Sequence, residues 1–120
     1  MVLEVLPAPF SVCKAEKVDD AFPSPFFFLS KTDHEISLVC PTKDVPGNVT
    51  HREDGWRAFR FAGTLDFSLI GIISEVSRIL ADNHIGIFVV STYDTDYVLV
   101  KADQFQEAMR LLQEKGYETR

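Results

Sequence analysis

The clearest pattern of hydrophobic and polar positions in the chain begins near Trp56. Residues 57–61 alternate between charged and apolar side chains, which is the period of a strand with one buried face. Gly63 and Thr64 favour a turn, and Asp66 stands where the N-cap of a helix would stand. The apolar positions that follow recur at the spacing of one helix face: Leu69, Ile72, Ile73, Val76, Ile79 and Leu80. The stretch therefore predicts a strand, a turn and a helix of roughly four turns.

Two β-rich segments, residues 85–90 and 97–100, come next and are separated by a short polar link, which predicts a β-hairpin. Asp103, with Gln106 three residues later, forms a capping-box pattern at the start of a second helix. Gly116 stands where a C′ glycine would end that helix. The apolar stripe of this helix consists of Phe105, Ala108, Met109 and Leu112.

The order of these elements is strand, helix, strand, strand, helix, and residues 117–120 can add a last short strand. This order is the βαββαβ plan of the ferredoxin-like sandwich, in which two helices cover one face of an antiparallel sheet. We therefore predict an α+β fold of this class for the C-terminal half.

The N-terminal half has a weaker pattern. Residues 3–6 and 11–15 indicate short strands, and residues 26–31 and 36–40 predict a second hairpin. Residues 41–48 contain two prolines and a glycine, which leaves room for at most one turn of helix.

The two halves resemble each other when they are compared at an offset of 61 residues. Glu35 falls on Asp96, and four identities fall within the two predicted hairpins. The identical pairs are Ser30 with Ser91, Asp33 with Asp94, Leu38 with Leu99, and Val39 with Val100. We therefore predict a degenerate tandem repeat, in which residues 1–55 have lost most of their helices and residues 56–120 form a complete copy. Neither copy has enough core to stand alone, so we expect them to pack as one compact unit.

The ten phenylalanines support the same interpretation. Because successive strand residues face opposite sides of a sheet, the Phe26-Phe27-Phe28 run implies burial on both faces or at an interface. We expect these rings to fill the core rather than to cage a ligand, and they favour dimerisation or close packing of the repeats.

Composition and charge exclude several classes of protein. A chain of 120 residues with a net charge of −6 and a pI near 4.9 lacks the clustered cations that nucleic acids and anionic membranes require. No apolar run approaches the ~20 residues of a membrane span. The start, Met1-Val2-Leu3-Glu4, has no basic n-region. We therefore expect no signal peptide, no contact with nucleic acid or membrane, and a cytoplasmic location.

Few side chains could carry catalysis or bind a metal. Cys13 and Cys40 are too far apart for a CxxC motif, and the simplest interpretation is two reduced thiols used as small apolar residues. His34, His51 and His84 have no metal-binding spacing. The common nucleophile, zincin, P-loop and dinucleotide-binding motifs are lacking. We expect no metal, no cofactor and no enzymatic activity.

The C-terminal half resembles an ACT domain, a small βαββαβ module that binds amino acids and regulates metabolic enzymes. The resemblance runs through residues 63–71, 83–87 and 91–100. With residues 26–39 and 52–56, the chain is similar to small bacterial stand-alone tandem-ACT proteins, which are themselves similar to repeats of the animal cytosolic arginine sensors. The resemblance implies a free amino acid or similar small polar metabolite as ligand, and a second copy or a regulated enzyme as partner.

In ACT domains the effector lies against the start of the first helix, so the resemblance points to residues 66–71. A helix N-terminus offers unpaired N–H groups and partial positive charge, which suit a carboxylate. The amides of residues 67–71 would be the donors, and Gly71 would leave room for the ligand. Alternatively, Asp66 and Ser68 only cap the helix. The candidates here are Asp66, Phe67, Ser68, Leu69, Ile70 and Gly71.

The second predicted hairpin adds polar candidates. Asp94 and Asp96 could match the ammonium group of an amino acid, and the resemblance to the arginine sensors implies an acidic contact near Asp96. Ser91 and Thr92 could add hydroxyl contacts. The alternative is a solvated turn that uses Asp for its tolerance of turn geometry.

The leading hypothesis is a non-catalytic sensor of an amino acid. The alternative is a protein-interaction module that keeps the ACT fold and has lost its ligand, because the usual Pro-Gly loop is replaced by residues 66–68 and a usual glycine by His84. An RNA-binding domain shares the βαββαβ plan, but residues 96–101 lack the basic and aromatic pattern that it needs.

Overall fold

The computed structural model describes residues 1–62 and 71–120, and these residues form two compact units. Met1–Pro7 and Arg57–Arg120 form the first, called here the C-terminal unit, and Ala8–Trp56 form the inserted unit. The strands and helices are, in chain order, β1 (Val2–Val5), β2 (Phe10–Ala15), β3 (Phe28–Lys31), β4 (Ile36–Pro41), a 3₁₀ turn (Thr42–Asp44), β5 (Val49–Phe61), α1 (Ile72–Asp82), β6 (Ile87–Ser91), β7 (Asp96–Lys101), α2 (Ala102–Glu114) and β8 (Glu118–Thr119).

The strands of the C-terminal unit lie in the order β6-β7-β5-β1-β8. β1 pairs antiparallel with β5, where Leu3 lies opposite Phe61, and β8 pairs parallel with β1. The mixed α+β fold with two helices confirms the predicted class. The N-terminal strand is an addition to the predicted plan, since it lies between β5 and β8.

The core of the C-terminal unit lies between one face of its sheet and the two helices. Because side chains alternate along a strand, Phe59 and Phe61 of β5 point to this face together, with ring centroids 6.3 Å apart in an edge-to-face arrangement. The other fully buried members are Leu3, Val76, Leu80, Val98, Val100, Ala108 and Leu112. The described members of the helix stripes therefore face the core as predicted, while Leu69 lies outside the described residues.

The helix starts differ from the predictions. α1 begins at Ile72, and its N-cap is Gly71 with a φ of +89°, while the predicted cap Asp66 lies outside the described residues. α2 follows β7 directly, with Lys101 as N-cap and no side-chain capping bond among the described residues. The predicted capping box is therefore wrong. Asp103 lies inside the first turn of α2, where its charge still favours the helix dipole.

The end of α2 confirms the prediction for Gly116. This glycine has a φ of +98°, its N–H donates to the Gln113 carbonyl at 3.0 Å, and the Tyr117 N–H donates to the Leu112 carbonyl at 3.1 Å. These two bonds are the Schellman motif, which pairs the last helical carbonyls and turns the chain toward β8.

The inserted unit has the strand order β3-β4-β2-β5. Within this fully described unit the 3₁₀ turn is the only helical segment, as predicted for residues 41–48. β5 starts at Val49 rather than at residue 57, because its first half pairs with β2 although its side chains are mostly exposed. An exposed strand carries no apolar alternation, so the sequence pattern did not reveal it.

The Phe26-Phe27-Phe28 run leads into β3, of which only Phe28 is a member. Phe27 packs edge-on against Phe22 at 5.0 Å, whereas Phe26 contacts Phe10 at 5.7 Å and Phe28 at 5.5 Å. The three rings pack in different directions, but Phe27 is 39% exposed, so it is not enclosed on both sides within the chain. Burial of this run at an interface stays a prediction.

The two hairpins are related by an offset of 60 residues. Lys31 lies opposite Ile36 in one hairpin, and Ser91 lies opposite Asp96 in the other, so both members of the pair differ by 60. The turns match at the same offset, since the N–H of Thr32 donates to the Glu35 carbonyl at 2.9 Å and that of Thr92 to the Thr95 carbonyl at 2.8 Å. The sequence identities at an offset of 61 therefore lie one residue out of this structural register, and the repeat itself stays a prediction.

We expect Leu3→Ala to lower the free energy of unfolding by about 2–5 kcal/mol, because it leaves a cavity in the core of the C-terminal unit. Urea unfolding followed by circular dichroism measures the loss. Leu29→Ala is the matched control, since Leu29 is 48% exposed, and it should cost less than about 1 kcal/mol. Equal losses would contradict the burial of β1.

We expect Gly116→Ala to cost about 1 kcal/mol of stability, because an L-residue is strained at its positive φ. Gly86→Ala has no positive φ and would bring its Cβ within 4 Å of no described atom, so it should cause no loss. The same unfolding measurement compares the two variants, and a loss confined to Gly86→Ala would refute the Schellman geometry.

Candidate functional site

The predicted hairpin residues lie together at one end of the C-terminal unit. Ser91 ends β6 and lies directly opposite Asp96, which begins β7. Ser91 is exposed and Asp96 is half-buried. The hydroxyl and a carboxylate therefore stand side by side on neighbouring strands, where an ammonium or another donor could reach both.

Thr92 stabilises the β6–β7 turn through two hydrogen bonds. Its N–H and its Oγ1 both donate to the Thr95 carbonyl, at 2.8 and 3.0 Å. The hydroxyl proton of Thr92 is therefore used within the turn, and only the remaining lone pairs of this oxygen are left to accept a hydrogen bond from a ligand.

Thr95 is a residue of the site that sequence reasoning missed. Its side chain is 8% exposed, and its Oγ1 donates to the Phe61 carbonyl at 3.1 Å. This bond holds the turn against the end of β5, where the chain enters residues 63–70. No local sequence pattern distinguishes this threonine, because its burial and its partner Phe61 come from the fold.

An ion pair on β1 and β5 lies beside β7. Arg60 Nε donates to Glu4 Oε1 at 2.8 Å, and Arg60 Nη1 donates to the Tyr97 hydroxyl at 3.3 Å. The hydrogen bond from Arg60 holds the pKa of Glu4 below its usual value, and the same bond raises the pKa of the Arg60 guanidinium. The charge of Arg60 is thus largely balanced within the unit.

The start of α1 is the second part of the predicted ligand site. The Glu75 N–H donates to the Gly71 carbonyl at 2.8 Å, and the amides of residues 72–74 precede this first described bond of the helix. Of the predicted donors, residues 67–70 lie outside the described residues and Gly71 is the N-cap, so their role as donors stays a prediction. A Cβ on Gly71 would lie within 4 Å of no described atom, which is consistent with the room that was expected there.

Tyr117 ties the chain after α2 to the first turn of α1. Its hydroxyl donates to Glu75 Oε1 at 2.8 Å, and its ring is 9% exposed. Burial, together with the hydrogen bond to Glu75, raises the pKa of Tyr117 to about 12. The tyrosine thus holds the first turn of α1, a role that no local pattern predicts.

Known proteins share the sequence pattern and the fold of this chain. An ACT domain family model matches residues 51–114, which is more than half of the chain. The chain belongs to the ACT domain family. A protein of known crystal structure from Agobacterium tumefaciens is 32% identical, with 99% of this chain and 91% of that chain aligned at a TM-score of 0.87. None of the curated proteins matches significantly.

Two aspartate kinase structures share the fold of this ACT protein. The Clostridium acetobutylicum aspartate kinase is 15% identical, with 92% of this chain and 32% of that chain aligned at a TM-score of 0.66. The regulatory subunit of aspartate kinase from Thermus thermophilus is 6% identical, with 93% of this chain and 95% of that chain aligned at a TM-score of 0.64.

The nine predicted site residues fall in three places of the ACT protein. Ser91, Thr92 and Asp96 lie together at the hairpin, and Gly71 caps α1. The other five, residues 66–70, lie outside the described residues. The assignment of all nine to a ligand stays a prediction.

Other chemistry has little support in residues 1–62 and 71–120. No group of three or more histidine, cysteine or acidic side chains there is placed to hold a metal ion. Cys13 and Cys40 are reduced and buried, and burial raises the pKa of Cys40 to about 11, which keeps it a thiol. Neither of the two described helices is long and apolar enough to cross a membrane.

We expect Tyr117→Phe to flatten the alkaline loss of stability. The pKa of Tyr117 is raised on folding, so its contribution is complete below about pH 10 and is lost as pH rises toward 12. Urea unfolding between pH 9 and about 11.5 should show a steeper decline in the native protein than in this variant. Tyr93→Phe, at an 83% exposed position, should keep the native slope. Identical slopes in all three proteins would refute the contact.

Proposed function

We propose that this ACT protein is a regulatory sensor of a free amino acid or a similar small polar metabolite, with no catalytic activity of its own. The observation that carries the proposal is the ACT family match, which spans the start of α1 and the β6–β7 hairpin. Two proteins with the same fold are an allosteric aspartate kinase and a regulatory subunit of aspartate kinase. The proposal extends that regulatory role to this chain.

In the proposed site, the ligand carboxylate lies at the N-terminus of α1 and its ammonium group near Asp96. Two features support the first contact: the amides of residues 72–74 at the start of α1, and Gly71, where an added Cβ would lie within 4 Å of no described atom. The half-buried carboxylate of Asp96, opposite Ser91, supports the second. Residues 66–70 and the Thr92 hydroxyl complete the proposed site.

The proposal includes a tandem arrangement with residues 1–55 as a degenerate ACT-like repeat and residues 56–120 as the complete one. The strand order β3-β4-β2-β5 of the inserted unit repeats the succession β6-β7-β5-β1 of the C-terminal unit. The caps Pro41 and Lys101 also have nearly the same backbone angles, with φ of −54° and −57° and ψ of 139° and 138°. Similarity to the animal arginine sensors, a cytoplasmic location and assembly as a dimer or with a regulated enzyme belong to the same proposal.

A second candidate is an ACT-fold interaction module that has lost its ligand. It is favoured by polar groups that are already used inside the unit. Arg60 is paired with Glu4, and the hydroxyls of Thr92 and Thr95 bond backbone carbonyls. The two candidates differ in whether a small molecule stabilises the folded protein.

The test is a thermal-shift screen of the purified chain against the twenty amino acids. A ligand present at ~100 times its Kd should stabilise the fold by about 2.7 kcal/mol, which raises the Tm by several degrees. Asp96→Asn should abolish the shift, because it removes the carboxylate that faces the ammonium group. Asp82→Asn, an exposed position at the end of α1, should retain it.

A flat screen with folded protein would overturn the sensor and favour the interaction module. A shift that survives in Asp96→Asn would overturn the proposed site, although not ligand binding itself. Gly71 is a poor position for this test, since its positive φ strains any replacement.

A further inference from the structure

The sheet of the inserted unit ends in an open edge. β3 pairs with β4 on one side, and no described strand pairs with its other side. An edge strand presents a row of N–H and C=O groups to which another chain can add a strand. This edge is not used by the proposed ligand site.

The hydrogen bonds of the hairpin show which backbone groups face the open edge. The Thr32 N–H donates to the Glu35 carbonyl at 2.9 Å, so these two residues form a hydrogen-bonded pair. Hydrogen-bonded and non-hydrogen-bonded pairs alternate along an antiparallel ladder. Ser30 is therefore bonded to β4, whereas the N–H and C=O groups of Leu29 and Lys31 point to the open edge.

Apolar side chains are exposed beside this edge. Leu29 is 48% exposed and Phe27, which directly precedes β3, is 39% exposed. Leu29 lies opposite the buried Leu38. Phe27 packs against Phe22, which covers the cluster around Leu38, so both exposed side chains lie on the same face of the sheet. Lys31 alternates onto this face as well.

These three side chains make the strand complementary to itself. We propose that β3 pairs antiparallel with β3 of a second copy of this chain, around a two-fold axis through Leu29. In this register Leu29 forms a hydrogen-bonded pair with its counterpart, and Lys31 of each copy lies opposite Phe27 of the other copy. Each ammonium group then meets an aromatic ring rather than a like charge.

Charge and strand length select this register. An axis through Lys31 would place two ammonium groups opposite each other, which is unfavourable. An axis through Ser30 would place Phe27 opposite Asp33, which lies beyond the end of β3. The axis through Leu29 pairs residues 27–31 of both copies. β6 is another edge strand, but its sequence, IFVVS, has no charge that would fix a register.

The dimer is expected to be weak. Pairing of one short strand from each copy buries less than the ~1,200 Å² of a standard interface, so the dimer should dissociate on dilution. The inference identifies a surface for the dimer of the proposed function, but it does not depend on ligand binding. β3 belongs to the inserted unit, whereas Gly71 and Asp96 belong to the C-terminal unit.

Sedimentation equilibrium from about 10 μM to about 1 mM tests the assembly. We expect the chain to pass from monomer to dimer over this range. Leu29→Glu places two carboxylates on the two-fold axis and should weaken the dimer at least about tenfold. Val89→Glu is the matched control, because Val89 is 37% exposed on the edge strand β6, and it should leave the dimer unchanged.

Cysteine cross-linking tests the register. Hydrogen-bonded partners have Cα atoms about 5.5 Å apart, which a disulfide can span. Diamide, which accepts two electrons and two protons from a pair of thiols, should therefore cross-link two copies of Leu29→Cys. Ser30→Cys should remain uncross-linked, because its counterpart lies opposite Phe28. The native Cys13 and Cys40 are buried.

Three results would overturn the proposal. The first is a folded chain that stays monomeric up to about 1 mM. The second is a dimer that Leu29→Glu leaves as strong as that of the native chain. The third is cross-linking of Ser30→Cys as readily as of Leu29→Cys. A native dimer that forms without any response to amino acids would support this inference and contradict only the proposed function.

Discussion

The pairing of both chain ends within the C-terminal unit is the constraint on which the rest of this ACT protein depends. β1 donates and accepts backbone hydrogen bonds on both edges, toward β5 on one side and toward the last residues on the other. The Val5 N–H reaches the Arg120 carbonyl at 2.7 Å, and the Arg120 N–H reaches the Leu3 carbonyl at 2.9 Å. Because Leu3 is fully buried, this strand contributes to the core as well as to the sheet. The inserted unit, Ala8–Trp56, therefore lies in the sequence between the two segments that form the C-terminal unit.

This constraint also explains which parts of the fold could be read from the sequence. The α1 and α2 stripes and the β6–β7 hairpin are local patterns, and the structure follows them closely. The position of β1 depends on partners more than fifty residues away, such as Phe61 and Thr119. Short-range periodicity contains no information about such partners, so a strand could be predicted at residues 3–6 but not its neighbours.

Only part of the candidate site could be predicted from the sequence. Ser91 and Asp96 could be found because polar residues at a predicted hairpin are visible in the sequence. Thr95 and Tyr117 could not, since their importance lies in the non-local partners Phe61 and Glu75. The start of α1 was placed too early because the apolar stripe includes Leu69, whereas the backbone turns at Gly71 with a positive φ. Periodicity locates the face of a helix more reliably than its first residue.

The two hairpins show how one backbone geometry can carry different chemistry. In both turns the threonine N–H donates to the carbonyl three residues later, yet the β6–β7 turn adds Asp94 and Asp96 while the β3–β4 turn places Asp33 and Glu35 near Lys14. The backbone bonds of a turn do not involve the side chains that would face a ligand. The turn can therefore keep its shape while those side chains change. The ligand preference of one unit therefore cannot be inferred from that of the other, because the charged side chains around the two turns differ.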